Sequence, residues 1–359
     1  MPRSRCETVR SPHRPIRTPT SFCVSDFDLA VTVRSGQVFR WREETSVQFS
    51  GWINFRPVRL RQKGRDLLAE GASPAEIERF FDLTADFPSI ARSIDVDPIL
   101  HEALQAYWGL RLIRQDPWEC LASFILSSFN NIPRITGMIE RLCVEFGTPA
   151  MGPVEARDRS RSTARTPHRG VRILSRLRSP SLRSGTVATQ PARGLLSPTP
   201  HLGSHLSALC CFPKPEVLAN VPERVLRDLG LGFRAPYLKA AAQAVAGGKA
   251  DLEGWNALDD EGLRNSLLGI PGVGEKIVEC VMLFAYGRTS AFPVDVWIGR
   301  AMRRWYFRGR KVPDRKIREF ARKHFGPHCG WAQQYLYCHA RGASARISLE
   351  RTEPSKANS

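Results

Sequence analysis

The chain has 359 residues, enough for about two domains, and 42% of them are hydrophobic, ample for a core. Lys and Arg outnumber Asp and Glu by 53 to 35, a net charge of +18 that suits a nucleic-acid partner. No run of about 18 apolar residues occurs and the N-terminus has no apolar signal segment, so neither a membrane span nor secretion is expected.

The charge is unevenly placed. Residues 1–20 hold five arginines against one glutamate, and residues 151–200 hold ten arginines against two acids. These segments carry +4 and +8 of the total, leaving +6 for the rest. A modestly basic body still suits DNA, because phosphate contacts need only a local patch. None of the nine cysteines forms a C-x-x-C pair. Neither zinc nor an iron–sulfur cluster fits their spacing, and no metal or cofactor is expected. An odd count without a secretory signal points to a reducing compartment inside the cell.

In chain order, residues 1–23 are rich in Arg, Pro, Ser and Thr and are expected to form a disordered basic tail. From Phe27 to about Glu70, alternation such as Phe55-Arg56-Pro57-Val58-Arg59-Leu60-Arg61 predicts an antiparallel sheet. Ser73-Pro74-Ala75-Glu76 reads as a capping box that opens a helix. Asp116-Pro117 opens another, with Cys120, Phe124 and Ile125 turned inward. Helical patterns then dominate to about Arg341. The expected class is α+β, mainly helical. A sheet-containing domain at 24–115 packs on a helical domain at 116–150 and 210–345, with a DNA-facing cleft between helical subdomains and a tail at 346–359.

Residues 151–209 break this order with Arg, Ser, Thr and Pro and little apolar periodicity. Two explanations stay open. The stretch is either a basic low-complexity insertion that adds nonspecific DNA affinity, or sequence read in a wrong frame after Gly147.

The most informative stretch is Leu268-Gly269-Ile270-Pro271-Gly272-Val273-Gly274-Glu275-Lys276. Asp260 to Leu268 has helical spacing, Gly269 ends it and Pro271 blocks continuation. Gly272 and Gly274 are free to take positive φ, which turns successive N–H groups outward beside a helix start. Such a nest binds an anionic oxygen without reading sequence. An apolar helix follows from Ile277 through Phe284. Lys276 sits on its first turn, where the helix N-terminus and burial both disfavour an ammonium and favour the nucleophilic free amine.

In Phe292-Pro293-Val294-Asp295-Val296, Asp295 falls at the N-cap of a helix running from Val296 to Phe307. Ile298, Ala301, Met302 and Trp305 line one side of that helix. Capping is the plain role of such a residue. The same carboxylate can also face a pocket and stabilise positive charge developing on a sugar.

Leu-x-x-Ile-Pro-Gly-Val-Gly-x-Lys followed by Pro-Val-Asp-Val resembles the helix-hairpin-helix DNA glycosylase superfamily. Further segments narrow the resemblance to the 8-oxoguanine DNA glycosylase family: Ser35-Gly36-Gln37-Val38-Phe39-Arg40-Trp41-Arg42, Leu112 to Cys120, Asn130 to Met138, Leu229 to Ala235, and Gly330-Trp331-Ala332-Gln333. It spans about Phe27 to Arg341 with one interruption.

The resemblance implies a helix-hairpin-helix glycosylase fold and a bifunctional glycosylase and lyase acting on duplex DNA as a monomer, in nucleoid or nucleus. It implies Lys276 as the nucleophile on the deoxyribose C1′ and Asp295 as the catalytic aspartate. Gly36, Cys280, Gln333 and Tyr337 match positions around the flipped base, Gly36 through a carbonyl that senses the N7 proton of the oxidised base. Arg134 and Arg234 match arginines that read the orphaned cytosine, Phe233 matches an aromatic wedge, and Asn130 falls in the DNA-contacting segment. Gly272 and Gly274 match the phosphate-binding hairpin. Two departures are Phe129, where the family usually has asparagine, and Trp297, where it often has histidine. Two other classes remain open: a monofunctional alkylated-base glycosylase, and a noncatalytic hairpin module that only grips phosphates.

Overall fold

The computed structural model describes residues 19–150 and 210–352, with side chains described as far as residue 342. The basic stretch 151–209, residues 1–18 of the first expected tail and residues 353–359 of the last therefore lie outside the described residues.

Five antiparallel strands form one sheet in the order β1-β5-β4-β3-β2. They are β1 (Thr20–Cys23), β2 (Arg42–Thr45), β3 (Gln48–Ile53), β4 (Arg56–Lys63) and β5 (Asp66–Glu70). The alternation in β4 has its expected cause: Val58 and Leu60 are buried, while Arg59 between them is half-buried and Arg61 after them is exposed. Asn54 and Phe55, both at positive φ, make the two-residue turn that pairs Ile53 with Arg56.

Two expectations are corrected here. Thr20–Cys23, assigned to the tail, is a strand paired with β5; the Pro- and Arg-rich residues before it masked a short edge strand. Leu29–Arg34, assigned to the sheet, is a helix, α1, capped by Asp28 accepting from Val31 N at 2.8 Å. Its buried residues Leu29, Thr32 and Val33 follow helical spacing. Val31 and Val33 had mimicked a strand.

The helices follow: α2 (Pro74–Phe80), α3 (Phe87–Ile94), α4 (Pro98–Ala106), α5 (Pro117–Leu126), α6 (Ile132–Phe146), α7 (Pro215–Asn220), α8 (Glu223–Leu226), α9 (Ala235–Ala246), α10 (Asp260–Leu268), α11 (Glu275–Phe284), α12 (Val296–Tyr306), α13 (Asp314–Phe325) and α14 (Cys329–Thr352). The capping box of α2 is complete, with Ser73 and Glu76 each accepting from the other's backbone N–H. Helix α14 runs past residue 345, so the last expected boundary falls inside a helix.

There are two hydrophobic cores. The first joins the inner sheet face (Phe49, Val58, Leu60, Leu67) to α1 and α2. The second unites α3 to α6 with the later helices. Residues 87–112 therefore pack with the helical body, although they precede the boundary expected at 115. Helix α11 is buried from Ile277 through Phe284, which makes it the central helix. Each such fully buried large side chain contributes about 1.5–3 kcal/mol. Among the described residues, no helix is long and apolar enough to cross a membrane.

A candidate active site at two helix starts

The hairpin between α10 and α11 is held from below and open above. Ile270 and Val273 are buried, whereas Pro271, Gly272 and Gly274 are exposed. Gly272 has φ of +82° and lies against the Tyr237 ring of α9 so closely that a Cβ there would overlap it. Gly274 corrects the expectation of a second positive φ. It is the extended N-cap of α11, with φ of −101°, and its carbonyl accepts from Ile277 and Val278. The Glu275 and Lys276 N–H groups at the very start of α11 have no acceptor within the helix, so they remain available to an anion.

Lys276 lies on that first turn, half-buried. Its Nζ donates to Ser127 Oγ at 2.7 Å and sits 5.6 Å from the Phe124 ring centroid. Ser127 itself donates to Phe124 O at the end of α5. The amine is thus held at one place between two helices.

Asp295 caps α12 and accepts from Ile298 N at 2.8 Å. Burial pushes its carboxyl above the usual aspartate range, while the Ile298 N–H, the Lys276 charge, the Trp297 N–H and the Arg341 charge oppose that rise. Burial also pushes the Cys280 thiol up to about 12; Lys276 pulls it down, and Asp295 and Glu279 add to the rise. Cys280 is therefore a neutral S–H beside the amine and the carboxylate. These mutual influences place Lys276, Asp295, Cys280 and Arg341 within electrostatic reach of one another.

Tyr337 and Gly36 form a wall beside Arg341. Burial pushes the Tyr337 hydroxyl up to about 12, and the Arg341 guanidinium lies 5.4 Å from its ring centroid. Gly36 has φ of +83°, and a Cβ there would come within 3.3 Å of Arg341, Ile132 and Tyr337. Its neighbours are clamped on both sides. Gln334 Nε2 donates to Ser35 O at 2.9 Å, and Gln37 bonds to Arg111 O and Ile113 N. Gln333 is only 4% exposed, so it is a buried residue, and its Oε1 has no hydrogen-bond partner. A buried acceptor without a partner costs about 1–3 kcal/mol, a cost that a donor on a bound ligand removes.

One buried acid ties the two helix starts together. Glu279, on α11, has a fully buried side chain. It accepts from Phe292 N at 2.7 Å in the segment that leads to Asp295. Arg264 and Arg322 donate to its other oxygen at 2.6 and 2.8 Å, with Arg318 beyond at 3.6 Å.

The rim is a separate cluster. Arg234 donates to Ser128 O and Phe129 O and lies 4.3 Å from the Phe233 ring centroid. Arg134 is exposed, and its charge acts on Arg234. Asn130 Nδ2 donates to Leu126 O at the end of α5, so the amide has a structural task in the loop. Among the described residues no cluster suited to a metal ion occurs.

Ser127, Glu279, Gln334 and Arg341 were not singled out from the sequence. Two signals were available: the lone acid inside the apolar run of α11, and the paired glutamines on an otherwise apolar helix.

A hairpin with N–H groups open to an anion, followed by an amine and a carboxylate at two helix starts on a mainly helical body, is the architecture of a helix-hairpin-helix glycosylase. Family comparisons agree. Residues 21–121 match the 8-oxoguanine DNA glycosylase N-terminal domain, and residues 197–327 match the HhH-GPD superfamily of base excision DNA repair proteins. The chain is 30% identical to a probable N-glycosylase/DNA lyase of Methanothermobacter thermautotrophicus, over 89% of this chain and 95% of that protein. It is 26% identical to N-glycosylase/DNA lyase OGG1 of Arabidopsis thaliana, over 89% and 79%. The Clostridium acetobutylicum 8-oxoguanine glycosylase/lyase, solved with double-stranded DNA containing cytosine opposite 8-oxoG, superposes with a TM-score of 0.70 at 27% identity, covering 90% of this chain and 98% of that one. The chain belongs to the 8-oxoguanine DNA glycosylase family.

Proposed function

We propose that this chain is a bifunctional DNA glycosylase and lyase that excises 8-oxoguanine from duplex DNA through Lys276. The observation that carries this reading is the Lys276 amine, held at 2.7 Å by Ser127, within electrostatic reach of the buried Asp295 carboxyl. A base in a duplex hides its C1′, so the nucleotide must first leave the stack. Phe233, 47% exposed at the rim, fills the gap. The hairpin N–H groups hold a backbone phosphate.

The free amine of Lys276 then attacks C1′, and the C1′–N9 bond breaks with its electron pair leaving on the base. Asp295 stabilises the positive charge that builds on the sugar. The sugar ring opens to a Schiff base on Nζ. Loss of a C2′ proton then expels the 3′ phosphate by β-elimination, and water releases the lysine.

Base choice rests on the wall. The partnerless Gln333 Oε1 accepts from N–H groups on the base's pairing edge, and the Gly36 carbonyl accepts from the N7 proton that only the oxidised base carries. Cys280 and Tyr337 complete the wall. Arg134 and Arg234 face the opposite strand, and Asn130 supports the loop between them. Every group the reading uses belongs to the one chain, and a monomer on DNA is part of the proposal. At the domain level, the sheet and the helical body share the task, because Gly36 precedes β2 and the reacting groups lie on α11 and α12.

Single-turnover base release from duplexes carrying 8-oxoguanine, 3-methyladenine or undamaged guanine tests the reading. Release confined to the oxidised purine is expected. Release confined to the alkylated base, or retained in Lys276→Gln, contradicts it.

A further inference from the structure

Phe129 is 95% exposed, the most exposed large apolar side chain among the described residues. Its φ is +49°, a left-handed conformation that a Cβ disfavours. The loop is nonetheless held. Arg234 donates to Ser128 O at 2.5 and 2.8 Å and to Phe129 O at 3.1 Å. The ring lies edge-on to Phe233, with centroids 6.3 Å apart and planes at 64°.

Two aromatic rings therefore project together, with the Arg234 guanidinium 4.3 Å from the Phe233 centroid and the charge of exposed Arg134 acting on it. A flat apolar face flanked by like charges fits a stacked base between phosphates. A second copy of this chain would bring its own arginines to the same place, and an apolar protein surface would leave these ones unmatched.

We propose that Phe129 is a second wedge ring, which stacks on the base left behind in the opposite strand while Phe233 fills the gap. The proposal rests on the duplex-glycosylase reading above. Every base offers a stacking face, so selection of the opposite base is shared between Phe129, which is tolerant, and Arg134 and Arg234, which hydrogen-bond. Phe129 thus broadens the set of opposite bases that the protein accepts.

The test uses the full chain and a duplex with a stable abasic-site analogue opposite 2-aminopurine, which needs no chemistry. Wild type is expected to quench the 2-aminopurine fluorescence by stacking. Phe129→Asn keeps the left-handed backbone, because asparagine tolerates it. It is expected to lose most of the quenching and to bind about tenfold more weakly, the usual scale for one base–aromatic stack. In base release, Phe129→Asn is expected to raise the preference for cytosine over adenine opposite the lesion by several-fold. Unchanged quenching, affinity and opposite-base profile in Phe129→Asn overturn the proposal, as does a Phe129-dependent dimer of the free protein in sedimentation. If wild type releases no oxidised base yet Phe129→Asn still loses quenching, the glycosylase reading falls and the second wedge stands.

Discussion

In the pocket, Lys276 donates to Ser127, Asp295 accepts from Ile298, and Glu279 locks α11 to the segment that delivers Asp295. At the rim, Phe129 and Phe233 project into solvent, and Arg234 bonds only to backbone carbonyls. These groups are held by the protein's own hydrogen bonds, which on the proposed function leaves little order to impose at the moment of reaction. The rim exposes apolar surface that only a partner covers. On the proposed function, reaction type is set where side chains are buried and held, and partner choice where they are exposed.

Variants that sharpen this contrast fall in order of expected effect. Lys276→Gln should abolish the covalent adduct and strand cleavage while leaving the thermal midpoint within a few degrees, because the group is only half-buried. Asp295→Asn should slow base release by about 10²–10³-fold, the scale for losing one preorganised charge.

That variant also carries a sign. Burial raises the folded-state pKa of Asp295 above the unfolded value. The ionised carboxylate therefore costs stability above that folded pKa, and the cost vanishes as pH falls below the ordinary aspartate range. Asparagine is an equally good N-cap. Asp295→Asn should thus melt higher than wild type at pH 7, with the difference closing in acid. The acid limb of kcat/KM in wild type should lie above the ordinary aspartate value and disappear in the variant.

Gln333→Ala should lower kcat/KM for the damaged base by about 10–100-fold, consistent with 1–3 kcal/mol for the contact, and leave affinity for undamaged duplex unchanged. Gly272→Ala strains φ and pushes Tyr237 away. It should weaken binding to damaged and undamaged duplexes alike and reduce the salt dependence by about one phosphate contact, read by titration at several salt concentrations.

Much of the pocket was legible because its signals are local. Pro271, Gly272 and the first-turn Lys276 lie within six residues, and Asp295 announced itself as a cap after Pro293-Val294. What escaped the sequence is non-local. Gln334 reaches Ser35 across 299 positions, and Ser127 meets Lys276 across 149. Glu279 gathers arginines from α10 and α13, which no periodicity reveals. In the fold, α1 was misread because two valines alternate within a six-residue helix. Residues 87–112, expected in the N-terminal domain, also pack against α14, a contact no local pattern reveals: Phe87 lies 5.7 Å from Trp331, and the Tyr335 hydroxyl donates to Leu110 O.

The most direct measurement is borohydride trapping of the full chain on a duplex with one 8-oxoguanine opposite cytosine, followed by mass spectrometry of the cross-linked peptide. The account predicts a reduced adduct on Lys276, lost in Lys276→Gln. Base release with no adduct, or an adduct mapped to another lysine, would contradict it.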